Sequence, residues 1–160
     1  VVHRDLKPSN VLVADGPQGP QPKVIDFGIA KATGARLTDS TQLTEQRQML
    51  GTPDYMAPEQ ALAGPQDLDA RADVYSLGVI LFQLVIGDLR RPLAPEWERG
   101  IADALLREDI ARATDGDPAL RLASVGELVT RLRTLAERHV AAARHAEMEL
   151  DARRAREAGG

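Results

Sequence analysis

The run ADVYSLGVILFQLVIG, from Ala72 to Gly87, sets the strongest limit on what this chain can fold into. Its residues are apolar nearly all round a helical cylinder, and such a helix must be covered by protein on every side. It is too short, and too interrupted by polar residues, to read as a membrane span. The run therefore predicts a buried central helix with more polar elements packed around it. A chain of 160 residues, 43% hydrophobic and 28% charged, can bury one sizeable core, so one compact unit is expected. With no cysteine it can form neither a disulfide framework nor a thiolate metal site, which fits a reducing, cytoplasmic compartment. The start, VVHRDLK, has no signal-peptide layout, and no stretch predicts a membrane segment. A net charge of -4 argues against nucleic acid as a general partner, because neutralising phosphates requires a basic surface.

Around the central helix the pattern changes four times. NVLVA and KVIDF are apolar runs separated by DGPQGPQP, which predicts a β-hairpin with a long proline- and glycine-rich loop. From Gly28 to Gln48 the chain is polar, rich in threonine and without period, and reads as a long surface segment. GTPDYMAPEQALAG then leads to the central helix. From Ser124, the residues Val125, Leu128, Val129, Leu132 and Leu135 recur at helical spacing, with Ser124 and Glu127 suited to a capping box. Beyond about Ala136 alanine and mixed charge replace the large apolar residues, so the helix is expected to leave the core there and continue as a charged tail.

Chemistry concentrates in the opening, VVHRDLKPSN. Moving a phosphoryl group requires a base or positioning acid for the acceptor hydroxyl, cations for the transferring oxygens and ligands for magnesium. Asp5 can orient the hydroxyl, Lys7 can neutralise a γ-phosphate and Asn10 can ligate a metal through its amide oxygen. Magnesium needs more than one hard oxygen ligand, and the next carboxylate at a strand end is Asp26. Because a hairpin returns the chain to the edge it left, Asp5, Asn10 and Asp26 can converge.

Four segments in order, HRDLKPSN, DFG, GTPDYMAPE and DVYSLGVILFQL, carry a specific resemblance. They resemble the catalytic loop, metal-binding turn, activation-segment end and central helix of bacterial-type serine/threonine protein kinases. The resemblance extends to residues 117–135, DPALRLASVGELVTRLRTL, and so covers about residues 1–135. It implies a mainly α fold with a small β-hairpin, the C-terminal lobe of the kinase fold, with residues 136–160 as a helical tail or linker. It implies ATP and Mg2+ as cofactors and proteins as substrates. Asp5 is then the catalytic base, Lys7 meets the γ-phosphate, Asn10 and Asp26 hold magnesium, and Leu12 packs beneath the adenine. Lys7 and Thr52 together imply serine and threonine hydroxyls as acceptors, with the Thr52 hydroxyl bonded to Lys7 and Asp5. Arg4 implies a partner phosphothreonine in the activation segment, Thr41 or Thr44, whose phosphorylation would order that segment. Glu59 and Arg121 resemble a buried ion pair, Asp73 an acid that bonds the catalytic-loop backbone, and His3 a structural residue under the activation segment.

A complete kinase also needs an N-terminal lobe with a glycine-rich loop, a strand lysine and its glutamate partner. Nothing of this kind lies in the 160 residues, so the chain is expected to be the downstream piece of a longer kinase and to be inactive alone. After Gly87, DLRRPLAPEWERGIADALLRED departs from the commoner family pattern, where a substrate-docking helix is often found. Two other classes stay open: a non-catalytic kinase-like lobe that binds partners, and a small-molecule phosphotransferase, whose group typically lacks GTPDYMAPE.

Overall fold

The computed structural model describes residues 2–25, 53–62 and 69–158. These form a two-stranded antiparallel hairpin and five α-helices, mostly helical as the sequence pattern requires. The long segment read between Gly28 and Gln48 lies outside the described residues.

The hairpin pairs β1, Val11–Gly16, with β2, Gly19–Val24. Its register runs from Val11 opposite Val24 to Gly16 opposite Gly19, which leaves Pro17 and Gln18 as the turn. Most of the expected long loop is therefore ladder. The reason lies in where the prolines fall. The Ile25 N–H bonds the Asn10 carbonyl at 2.9 Å, making Asn10/Ile25 a hydrogen-bonded pair. Alternate pairs, Val13/Pro22 and Asp15/Pro20, are then the non-hydrogen-bonded ones, where proline's missing N–H costs the ladder nothing. Gly19, at φ 104°, supplies the backbone that closes so tight a turn.

After α1, Pro58–Leu62, comes α2, Arg71–Ile86, the central helix. It ends on Gly87 in the left-handed conformation, whose N–H bonds the Gln83 carbonyl at 2.9 Å. Two apolar clusters pack on it and share Leu81. One joins Val74 to Ala113, Leu122 and Leu128; the other joins Phe82 to Ile101 and Ile110. Trp97 closes the second cluster edge-on to Phe82, with ring centroids 5.8 Å apart. Between Gly87 and α3, Ala104–Ala113, the helical structure is a single 3-10 turn, Trp97–Gly100, within the stretch that departs from the family pattern.

The C-terminal region is two helices rather than one, α4, Val125–Arg133, and α5, Leu135–Ala158. Thr134 breaks them, its N–H and hydroxyl both bonding the Thr130 carbonyl. The Ser124 hydroxyl accepts from the Glu127 N–H, but Glu127 reaches back to the Ala123 N–H instead of Ser124, so the box is shifted by one residue. Near the expected departure at about Ala136, α5 is tied to α3. Arg138 and Arg131 both bond the fully buried Asp109 of α3, and His139 lies 2.9 Å from Asp103, the N-cap of α3. Beyond this clamp α5 is exposed.

At Gly78 α2 packs closely on the end of α3. A Cβ built there would lie 2.6 Å from Thr114 Cγ2 and 2.8 Å from Ala113 Cβ. Gly78→Ala is expected to destabilise by about 1–3 kcal/mol through overpacking, although alanine is the better helix former. Chemical denaturation should show the loss; an unchanged or raised midpoint would show that the two helices can separate freely.

Candidate active site

The opening loop is held by one carboxylate of the central helix. Asp73, buried in the first turn of α2, accepts the His3 N–H at 2.7 Å and the Arg4 N–H at 2.8 Å. Arg4 has φ 67°, a left-handed conformation that non-glycine residues rarely adopt. Such a residue costs about 1–3 kcal/mol and persists only where its surroundings fix it. Here they do, because the Arg4 carbonyl is also bonded, by Gln60 Nε2 at 3.1 Å.

His3 supports the same loop from below. Its Nδ1 accepts the Asp5 N–H at 3.3 Å, so Nε2 carries the proton and donates to the Ile25 carbonyl at 2.8 Å. The buried ring thus ties Asp5 to the end of the hairpin, and Ile25 immediately precedes Asp26.

Within this frame three polar side chains meet. Lys7 Nζ lies 3.4 Å from Asp5 Oδ2. Buried Asn10, in the 3-10 turn Pro8–Asn10, donates Nδ2 to the Asp5 carbonyl at 2.8 Å and to Asp5 Oδ2 at 3.3 Å. With Nδ2 so committed, the amide's remaining polar atom is its oxygen, a hard donor of the type magnesium takes. Among the described residues no three acidic, histidine or cysteine side chains cluster as a metal site. Leu12 stands on β1, 53% exposed. Asp26, Thr41, Thr44 and Thr52 lie outside the described residues.

The segment Pro53–Leu62 is fastened at three points. The Ser76 hydroxyl donates to the Tyr55 carbonyl at 2.7 Å, and the Tyr55 hydroxyl reaches Gln83 Oε1 at 2.7 Å. Gln60 bridges the Ala57 N–H and the Arg4 carbonyl. Glu59 takes a two-pronged bond from Arg121, at 2.6 and 3.0 Å, and the Arg121 side chain is fully buried. Arg121 also donates to the Arg71 and Asp115 carbonyls and lies over the Tyr75 ring, so each of its three side-chain nitrogens is bonded.

Gln60, Ser76 and Gln83 were not singled out from the sequence. A signal existed for two of them, because Asp73, Ser76 and Gln83 recur at i, i+3 and i+10 and mark one polar stripe on an otherwise apolar helix. Gln60 left no pattern to find.

The chain belongs to the protein kinase family, whose domain model matches residues 1–117. Within it, the chain is of the bacterial serine/threonine type. It is 38% identical over 157 residues to serine/threonine-protein kinase Pkn1 of Myxococcus xanthus, a match covering 88% of this chain and 22% of that protein. It is 43% identical over 130 residues to serine/threonine-protein kinase pkn3 of the same organism, covering 79% of this chain and 22% of that one. The crystal structure of the PknI kinase domain of Mycobacterium tuberculosis superposes with a TM-score of 0.55 at 29% identity, over 82% of this chain and 45% of that chain. The chain thus spans about a fifth of the length of these curated relatives.

Burial alone would raise the Glu59 pKa, but the Arg121 hydrogen bond, a backbone hydrogen bond and the Arg121 charge together outweigh it and hold the carboxyl below its ordinary value. A carboxylate so lowered contributes stability that is complete above its unfolded-state pKa and is lost as pH falls through the lower folded-state value. Glu59→Gln should therefore flatten the fall of stability on the acid side while lowering stability at neutral pH. Unfolding curves at several pH values would show it; an unaltered acid limb in the variant would place that pH dependence elsewhere.

Proposed function

We propose that this chain carries the acceptor side of a serine/threonine protein kinase site, transferring the ATP γ-phosphate to serine and threonine hydroxyls of proteins. The observation that carries the reading is the Asp5 carboxylate, 3.4 Å from the Lys7 ammonium and 3.3 Å from the Asn10 amide, on a loop clamped by the central helix. A carboxylate held this way can accept the acceptor hydroxyl's proton as the oxygen attacks the γ-phosphorus and the bond from that phosphorus to the bridging oxygen breaks, releasing ADP. The adjacent ammonium can engage a γ-phosphate oxygen, which brings nucleophile and electrophile to one place. Magnesium, when bound, neutralises charge on the transferring phosphoryl oxygens; Asn10 and Asp26 are its proposed ligands. Thr52, outside the described residues, is proposed to act with Lys7 and Asp5.

In this reading Leu12 takes the adenine face, and its exposure on β1 suits a surface covered by nucleotide. Residues 1–135 form the kinase portion and 136–160 a tail or linker. Arg4 receives a phosphate on Thr41 or Thr44, ordering the activation segment. His3, Asp73, Glu59 and Arg121 serve as the frame. No helix among the described residues is long and apolar enough to cross a membrane, and a cytoplasmic setting, where ATP is available, is proposed for the site.

In an active kinase containing these residues, Asp5→Asn is expected to lower kcat by about 100- to 10,000-fold while magnesium–ATP affinity stays nearly unchanged. Asp26→Asn should weaken magnesium–ATP binding as well. Radiolabelled transfer to a serine/threonine protein, with nucleotide titrations of both variants, separates the roles. Substantial transfer by Asp5→Asn, or an equal loss of nucleotide affinity in both, would contradict the assignment.

A further inference from the structure

A cavity of about 280 Å3 opens between the end of α2 and residues 91–100 of the loop that follows it. Its floor is apolar, made of buried Phe82 and half-buried Ile86 from α2 and half-buried Trp97 from the 3-10 turn. Pro92 and Pro95 stand in its wall, and neither has a backbone N–H to offer. Among the described residues no part of the opening loop lines it, and it falls in the stretch that departs from the family pattern.

Short bonds within the loop hold the cavity open. The N–H groups of Trp97 and Arg99 bond the carbonyls of Ala94 and Glu96 at 3.2 and 3.1 Å, and the Ile101 N–H bonds the Glu98 carbonyl at 3.1 Å. Ile101 is itself buried in the cluster around Phe82, which anchors the far end of the loop. At the near end Gln83 Nε2 donates to the Arg91 carbonyl at 3.0 Å, so the root of the Arg91 side chain is fixed to α2. Gly100 rests on the helix closely enough that a Cβ there would lie 2.8 Å from Ile86 Cδ1. Wall and floor are therefore preformed, as a small-molecule site usually is.

The charges of the lining decide what such a floor can take. Glu96, whose backbone is left-handed at φ 65°, pairs with Arg99 at 2.8 Å, and these two charges offset each other. Arg91 has no such partner: its guanidinium makes no ion pair or hydrogen bond among the described residues. An apolar cation would meet a like charge, and a neutral apolar molecule would leave the guanidinium unused. An apolar molecule bearing a carboxylate would gain both the floor and a two-pronged bond from Arg91. We propose that this cavity binds a small apolar carboxylate, its hydrocarbon body against Phe82, Ile86 and Trp97 and its charge on Arg91.

Trp97 is the single tryptophan of the 160 residues, so its emission reports on this cavity directly. The test is titration of the 160-residue chain with phenylacetate and with phenylacetamide, its uncharged isostere, followed by Trp97 fluorescence. Phenylacetate should give a saturable change with a Kd of about 0.1–1 mM, the range open to a ligand of this size, and phenylacetamide should bind about fivefold more weakly. Arg91→Gln should lower the affinity for phenylacetate to that of the amide and leave the amide unaffected. Arg90→Gln, which removes an exposed charge next in sequence but outside the lining, should leave both unchanged. Ala94→Phe, which fills the cavity from its wall, should abolish both signals while the melting temperature holds. No saturable change with phenylacetate, equal affinity for acid and amide, or equal weakening by Arg90→Gln and Arg91→Gln would overturn the assignment.

Discussion

Everything at the candidate site depends on one buried carboxylate. Asp73 accepts the backbone N–H groups of His3 and Arg4, 70 and 69 positions away in the chain, at 2.7 and 2.8 Å. Hydrogen bonds to a charged group contribute about 1.5–3 kcal/mol each, enough for two of them to offset the left-handed backbone at Arg4. That unusual backbone is what turns the chain so that Asp5, Lys7 and Asn10 come together. The other ties to this loop, from His3, Gln60 and Asn10, act on the backbone path that the clamp sets.

The same helix face organises the segment Pro53–Leu62. Asp73 holds the opening loop, Ser76 holds the Tyr55 carbonyl and Gln83 holds the Tyr55 hydroxyl, so the buried face of one helix fixes both sides of the candidate site. Arg121 completes the frame from the other side by binding Glu59 and the backbone of the central helix at once. Replacing such a pair with one partner only would strand a buried charge at about 3–5 kcal/mol, so the arrangement is hard to alter piecemeal.

Much of this was legible in the sequence, for physical reasons that can be traced. The central helix could be read because an all-apolar surface has only one stable place, the interior. The hairpin's existence was legible and its loop was not, because prolines normally end strands; only the register reveals that Pro20 and Pro22 sit where no N–H is needed. The break at Thr134 left no glycine or proline to announce it, and the tie of Arg138 to Asp109 is a contact between charges 29 residues apart, invisible to any local pattern. At the site, Asp5, Lys7 and Asn10 are near in sequence and were found together. Gln60 was not, because its role comes from reaching a carbonyl 56 residues away.

The most direct measurement of the central claim is amide hydrogen exchange at His3 and Arg4, in the native chain and in Asp73→Asn. The account predicts that both amides are protected to the level of the α2 interior, despite lying in a loop, and that the substitution releases them while α2 stays protected. Fast exchange of both amides in the native chain, or protection unchanged in Asp73→Asn, would mean that the carboxylate does not hold the loop.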